Sequence, residues 1–135
     1  MVPGGCGLKD KTTEKNFQVF EKSVKWWKDY YGLKNWRFVI VHEDNEHTEN
    51  SAAWCAWDIK GRIATIGLSL NWKNNVRSDY NLKKCGFHEV CEAMLSPLWV
   101  IGNPHSSEEY HYEEENHAII RILENTIFEE HKNEC

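Results

Sequence analysis

Residues 86–95 read Gly86-Phe87-His88-Glu89-Val90-Cys91-Glu92-Ala93-Met94-Leu95. Phe87, Cys91, Met94 and Leu98 recur at helical spacing and predict a single apolar stripe. His88 and Glu92 are four residues apart, so on that helix they stand one turn above the other and point the same way. Their face lies about 100° round the helix from Phe87, beside the core stripe and facing the floor of a cleft. Two side chains so placed can grip one metal ion without any backbone adjustment. Glu89 follows the first of them directly, where its carboxylate can reach a water beside the metal instead of the metal itself.

Upstream, the polar stretch Asn71–Ser78 leads into this helix, which Ser78 or Asp79 can cap. The helix is expected to stop near Ser96-Pro97, because proline disfavours a helical residue before it. Further back the period changes to two. Ala52–Asp58 and Arg62–Asn71 flank Ile59-Lys60-Gly61 and predict an antiparallel hairpin, with Ala64, Ile66, Leu68 and Leu70 on one face. Trp36, Phe38, Ile40 and His42 alternate in another strand, and Glu43–Ser51 is a polar loop. Phe17, Phe20, Val24, Trp27 and Tyr31 mark a first amphipathic helix, with Gly32 where a C-terminal cap belongs.

Downstream, Gly102 and Pro104 mark a loop, and Ser106 with Glu109 reads as a capping box. The last helix is expected from about Ser107 to His131, with Ile119, Ile120, Ile122, Leu123 and Ile127 on its apolar face. His117 shares a stripe with Glu113, Ile120, Glu124 and Ile127 and can face inward. It can complete a two-histidine, one-glutamate ligand set with His88 and Glu92. Glu113 and Glu114, one turn earlier, compete as third ligands or can hold the His117 ring from behind. The order of helix, three strands, helix, helix predicts an α+β fold, a short and mainly antiparallel sheet covered by helices.

The His88-Glu89-x-x-Glu92 stretch resembles the active-site helix of zincin metallopeptidases, whose usual motif is H-E-x-x-H. The element order is similar to that of a minimal zincin, and resembles SprT-like domains and phage-borne predicted metallopeptidases. Glu92 replaces the second motif histidine, a departure that makes the motif H-E-x-x-E. The resemblance implies Zn²⁺ held by His88, Glu92 and His117, with Glu89 as general base for hydrolysis of a peptide bond. It also implies an edge strand that aligns a protein or peptide substrate, matched here by Ile63–Leu70, and an oxyanion donor drawn from Tyr110, His111 or Tyr112. The competing reading is a non-catalytic protein-binding module, phage-encoded, that keeps the fold and engages a partner protein.

Composition bounds the rest. At 135 residues, 41% hydrophobic and 27% charged, the chain predicts one packed domain over residues 12–135 behind a flexible lead, residues 1–11. Sixteen Lys and Arg against 21 Asp and Glu leave a net charge of -5. That balance argues against broad nucleic-acid binding, which requires a basic footprint. No apolar run reaches the ~18 residues of a membrane span, and Met1–Asp10 has no apolar signal core, so the expected location is intracellular, in the cytoplasm. Five irregularly spaced cysteines fit reduced thiols better than a disulfide framework. Seven tryptophans are a heavy load, read first as core filling and second as a ligand-stacking surface. His42, His47, His105 and His131 fall in expected loops or chain ends and read as solvated.

Overall fold

A computed structural model describes residues 10–47, 51–73, 75–102 and 109–135, with side chains in the last segment from residue 112 onward. The elements are α1 (Glu14–Tyr30), β1 (Arg37–His42), β2 (Ala53–Asp58), β3 (Ile63–Leu68), α2 (Asp79–Gly102) and α3 (Glu109–Leu123). A π-turn, Glu124–Phe128, continues α3 into a last short helical turn, α4 (Glu129–His131). The α+β order is the expected one.

Helix α1 begins on a reciprocal cap. Thr13 Oγ1 accepts from Asn16 N at 3.1 Å, and Asn16 Oδ1 accepts from Thr13 N at 2.9 Å. It ends as Gly32 adopts φ +64°, which lets Leu33 N return to the Lys28 carbonyl at 3.0 Å. Phe20, Val24 and Trp27 are fully buried in the core, together with Phe87, Val90 and Cys91 of α2. Trp27 stands edge-on to Phe87 at 4.5 Å between ring centroids. This packing fixes α2 along α1 and so decides which face of α2 remains open.

The sheet runs β1-β3-β2. The expected β2–β3 hairpin is antiparallel, from Ala53 opposite Leu68 to Asp58 opposite Ile63. β1 pairs with β3 in parallel, Arg37 opposite Ile63 through His42 opposite Leu68, so the sheet is mixed with one pairing of each kind. β1 and β2 follow one another in the chain yet lie on opposite sides of β3, an order that alternation alone does not reveal. One expectation is overturned as a result. Ile63–Leu70 contains the central strand, hydrogen-bonded on both sides, and cannot accept a substrate strand. The strand beside α2 with an open edge among the described residues is β2.

Gly67 of β3 is where the sheet and Trp54 meet. A Cβ at this position would lie 2.1 Å from the Trp54 ring, whose Nε1 is anchored to the Glu43 carbonyl at 2.9 Å. The indole therefore rests directly on backbone. Gly67→Ala is expected to destabilise the protein by about 1–3 kcal/mol through overpacking, read as a lowered Tm in thermal unfolding.

Helix α2 does not stop at Ser96-Pro97 but runs on to Gly102. Pro97 lacks the N–H that would bond the Ala93 carbonyl, and Ser96 Oγ supplies a donor to that same oxygen at 2.7 Å. The hydroxyl replaces the hydrogen bond that proline takes away there. The Ser106 cap and the expected helix start at Ser107 lie outside the described residues, as does His105.

Asp10 and Lys11, at the end of the expected flexible lead, are tied to the chain after β3. Trp72 N donates to the Asp10 carbonyl at 2.6 Å, and Lys11 bridges Asn71. Two histidines are not solvated as expected. His42 ends β1, stacks on Phe17 at 5.1 Å, and donates from Nε2 to Thr12 Oγ1 at 2.7 Å, while that hydroxyl donates to the Ser69 carbonyl. His131 packs against Trp26, Trp27 and Tyr30. Cys55, Cys85, Cys91 and Cys135 are free thiols, with Cys91 in the core. No helix among the described residues is long and apolar enough to cross a membrane.

Candidate metal centre

With Phe87, Val90 and Cys91 locked into the core, the next face of α2 presents His88 and Glu92 to α3. Ile120 of α3 is fully buried, and His117, three residues earlier, comes to the same side. His88 Nε2 lies 3.7 Å from Glu92 Oε2, and His117 Nε2 lies 3.5 Å from Glu92 Oε1. The two imidazoles are 5.6 Å apart between centroids. One ligand atom from each of His88, Glu92 and His117 falls within 4.8 Å of the others, so the three can hold a metal ion. A tetrahedral ion with bonds of ~2.0–2.2 Å sets its ligand atoms roughly 3.3–3.6 Å apart, so the three groups would have to draw somewhat closer than their 4.8 Å limit to grip it.

Behind the cluster stands Glu124, the first residue of the π-turn. His88 Nδ1–H donates to Glu124 Oε2 at 3.0 Å, which leaves Nε2 as the free ring nitrogen turned toward Glu92. Burial works to lower the His88 pKa, but the Glu124 hydrogen bond and the charges of Glu92 and Glu124 outweigh it and raise the net value. The sequence places Glu124 on the His117 stripe, seven residues on, yet gives no reason to aim it at His88. Glu124→Gln keeps the shape but loses the charge, and Glu124→Ala loses both. Metal affinity is expected to fall about 10–100-fold in the alanine variant and less in the glutamine one, measured by competition with a chromophoric chelator.

Glu89 lies on the core side of His88 and is 5% exposed. Its Oε1 is buried with no hydrogen-bond partner among the described residues. An orphaned carboxylate oxygen is costly unless a proton, a water or a cation meets it. Burial, and then the neighbouring Glu92 carboxylate, push the Glu89 pKa well above the usual carboxylate range. The donor set and the unpartnered oxygen beside it both suit a cation in the cluster.

Two cavities flank the cluster. The smaller, about 190 Å³, opens on Glu92 and His117 and is walled by Trp57, Trp99 and Ile120. The larger, about 390 Å³, opens on His88, Glu89 and Glu124. Glu113 lines the smaller cavity beside His117 but is outside the ligand cluster, and Glu114 is exposed one residue further on. Tyr112 packs its ring against Gly102. The side chains of Tyr110 and His111 lie outside the described residues.

The fold and the cluster together define an α+β protein with a candidate metal centre of two histidines and a glutamate. No protein-family profile matches the chain, and neither curated proteins nor solved structures yield a match.

Proposed function

We propose that the protein is a zinc-dependent hydrolase of peptide bonds, similar in plan to a minimal zincin, with His88, Glu92 and His117 as ligands and Glu89 as general base. The observation that carries this reading is the convergence of both Nε2 atoms on the two oxygens of Glu92, beside a buried Glu89 whose Oε1 has no hydrogen-bond partner among the described residues. Two imidazoles and a carboxylate are a catalytic zinc set, and a bound zinc supplies a Lewis acid for a carbonyl and acidifies water.

The chain's own residues do the rest. Glu124 holds the His88 ring in one tautomer and one orientation. Glu89 sits on the cavity that also touches His88. Its burial and the adjacent Glu92 charge make the carboxylate a stronger base than a solvated one. It accepts the proton of the attacking water and passes a proton to the departing amine. The open edge of β2 can align an extended chain by strand addition, in the role the sequence reading assigns to Ile63–Leu70. The cavities on either side give room to the residues flanking the bond.

The test is metal analysis of the mildly purified full chain, joined to cleavage of an unstructured peptide library with zinc present. One equivalent of zinc and chelator-sensitive cleavage are the expected results. Metal-free protein that gains no zinc on dialysis overturns the reading in favour of a binding module.

A further inference from the structure

Resting on that reading, we propose that the smaller cavity holds a cationic side chain of the substrate, seated against Trp57 and Trp99 with Glu113 as its counter-ion. At about 190 Å³ the cavity takes one side chain, since an apolar space of about 150 Å³ is enough for benzene. It touches Glu92 and His117, so its occupant belongs to a residue close to the bond at the metal.

The first feature of its wall is aromatic. Trp57 of β2 and Trp99 of α2 meet at 5.6 Å between ring centroids, with 68° between their planes. Both are half-buried, so indole surface remains open to an occupant, and Ile120 supplies a fully buried floor. The face of an indole carries the negative part of its quadrupole and attracts an ammonium or a guanidinium.

The second feature is charge. Among the described residues no Lys or Arg lines this cavity, whereas Glu92 and Glu113 both do. Glu92 lies between the two imidazoles, and its charge, with that of Glu124 behind His88, offsets the double charge of a bound zinc. Glu113 stands outside the ligand cluster and has no ion pair among the described residues. Its neighbours three and four positions away on α3 are Glu109, Tyr110, Asn116 and His117, so the helix offers it no basic partner. Arg121, the only Lys or Arg of α3, is ~12 Å further along and acts on His88. Ser96 Oγ is engaged by the Ala93 carbonyl and adds no competing donor. An acidic group here would face like charge, and a neutral one would leave Glu113 unanswered. A cation on an alkyl stem suits both the indoles and the carboxylate, and lysine and arginine each present one.

Zinc-loaded full chain is titrated with three hydroxamic acids that share one alkyl tail and differ in its end: an ammonium, a guanidinium or a methyl group. The better cationic probe is expected to bind the wild type about tenfold more tightly than the methyl-ended one. Glu113→Gln and Trp99→Leu are each expected to cut that ratio about two- to fivefold, and the double variant to erase it. Glu113 is exposed, so its variant keeps the test open should Trp99→Leu fail to fold. It also decides which cavity the tail enters, because the larger one has carboxylates of its own, Glu89 and Glu124, and is not lined by Glu113. Equal binding of cationic and methyl-ended probes by the wild type, or a ratio that Glu113→Gln leaves unchanged, overturns the cation site and leaves the zinc reading intact. Failure of all three hydroxamates on zinc-loaded protein, or of zinc loading itself, overturns the underlying reading and this one with it. The tighter of the two cationic probes tells a lysine from an arginine on the substrate.

Discussion

If the proposed zinc site holds, His117→Ala is expected to lower zinc affinity by more than the 10–100-fold that loss of a residue behind a ligand costs. The reasoning starts from geometry. His88 and Glu92 come from one helix and approach each other in any well-formed turn, so they survive the substitution. His117 comes from α3, and its Nε2 is 3.5 Å from the second oxygen of Glu92. Without it the ion keeps two protein ligands, one below the three of catalytic zinc sites. Ile120, three residues on, is fully buried and keeps α3 in place, so the variant is expected to fold. Elemental analysis after dialysis reads the metal, and circular dichroism checks the fold. Retention of tight stoichiometric zinc in His117→Ala would remove α3 from the centre.

Glu89→Gln is expected to keep the metal and lose about 10²–10⁴ of any hydrolytic rate, the range for removal of a general base. The same variant has a second, independent signature in the metal-free protein. The folded-state pKa of Glu89 is raised, by burial first and by Glu92 second. As pH climbs above the unfolded value, about 4.3, the unfolded chain releases this proton while the folded chain retains it. Stability due to this group therefore falls with rising pH, by up to about 1.4 kcal/mol per pH unit, until the folded carboxyl ionises. Glutamine has no proton to release, so Glu89→Gln is expected to be the more stable protein at neutral pH and flatter between about pH 4.5 and 6. His88, also raised, gives a decline of the same sign but above its own unfolded value near 6.5, and that decline remains in the variant. Urea titrations across this range measure the difference. Parallel curves for the two proteins between pH 4.5 and 6 would show that Glu89 is not held protonated by its surroundings.

The helices and the hairpin were legible because each carries its own period: the Phe17–Tyr31 stripe, the Phe87–Met94 stripe, and the alternation from Ala64 to Leu68. The row of His88 and Glu92 was legible for the same reason, since four residues on a helix bring two side chains together whatever surrounds them. His117 could be found from its stripe with Ile120. What the sequence could not display is non-local. Strand order depends on pairings between residues distant in sequence, Arg37 with Ile63 among them, and so the central strand read as an edge. α2 persists beyond Pro97, where the Ser96 hydroxyl bonds the Ala93 carbonyl that proline leaves without its backbone donor. Glu124 keeps the stripe of His117, but its hydrogen bond to His88 joins two helices, which no spacing rule anticipates. His42 and His131 read as solvated because their partners, Thr12, Phe17 and the Trp26–Tyr30 rings, are distant in sequence.

The wide turn at Glu124–Phe128 divides the last helix into two stretches with separate phases. A π-turn accommodates one residue more than an α-turn, so everything after it is rotated relative to a continuous α-helix. Before it, the phase is set by His117, Ile120 and Glu124 meeting α2 around the cluster. After it, the phase is set by Phe128, which packs on Phe87 at 5.5 Å, and by His131 against the tryptophans of α1. An unbroken α-helix has one phase to offer and would satisfy only one of these neighbours. The extra residue acts as a vernier, through which ligand placement and hydrophobic packing are tuned on the same rod without constraining each other.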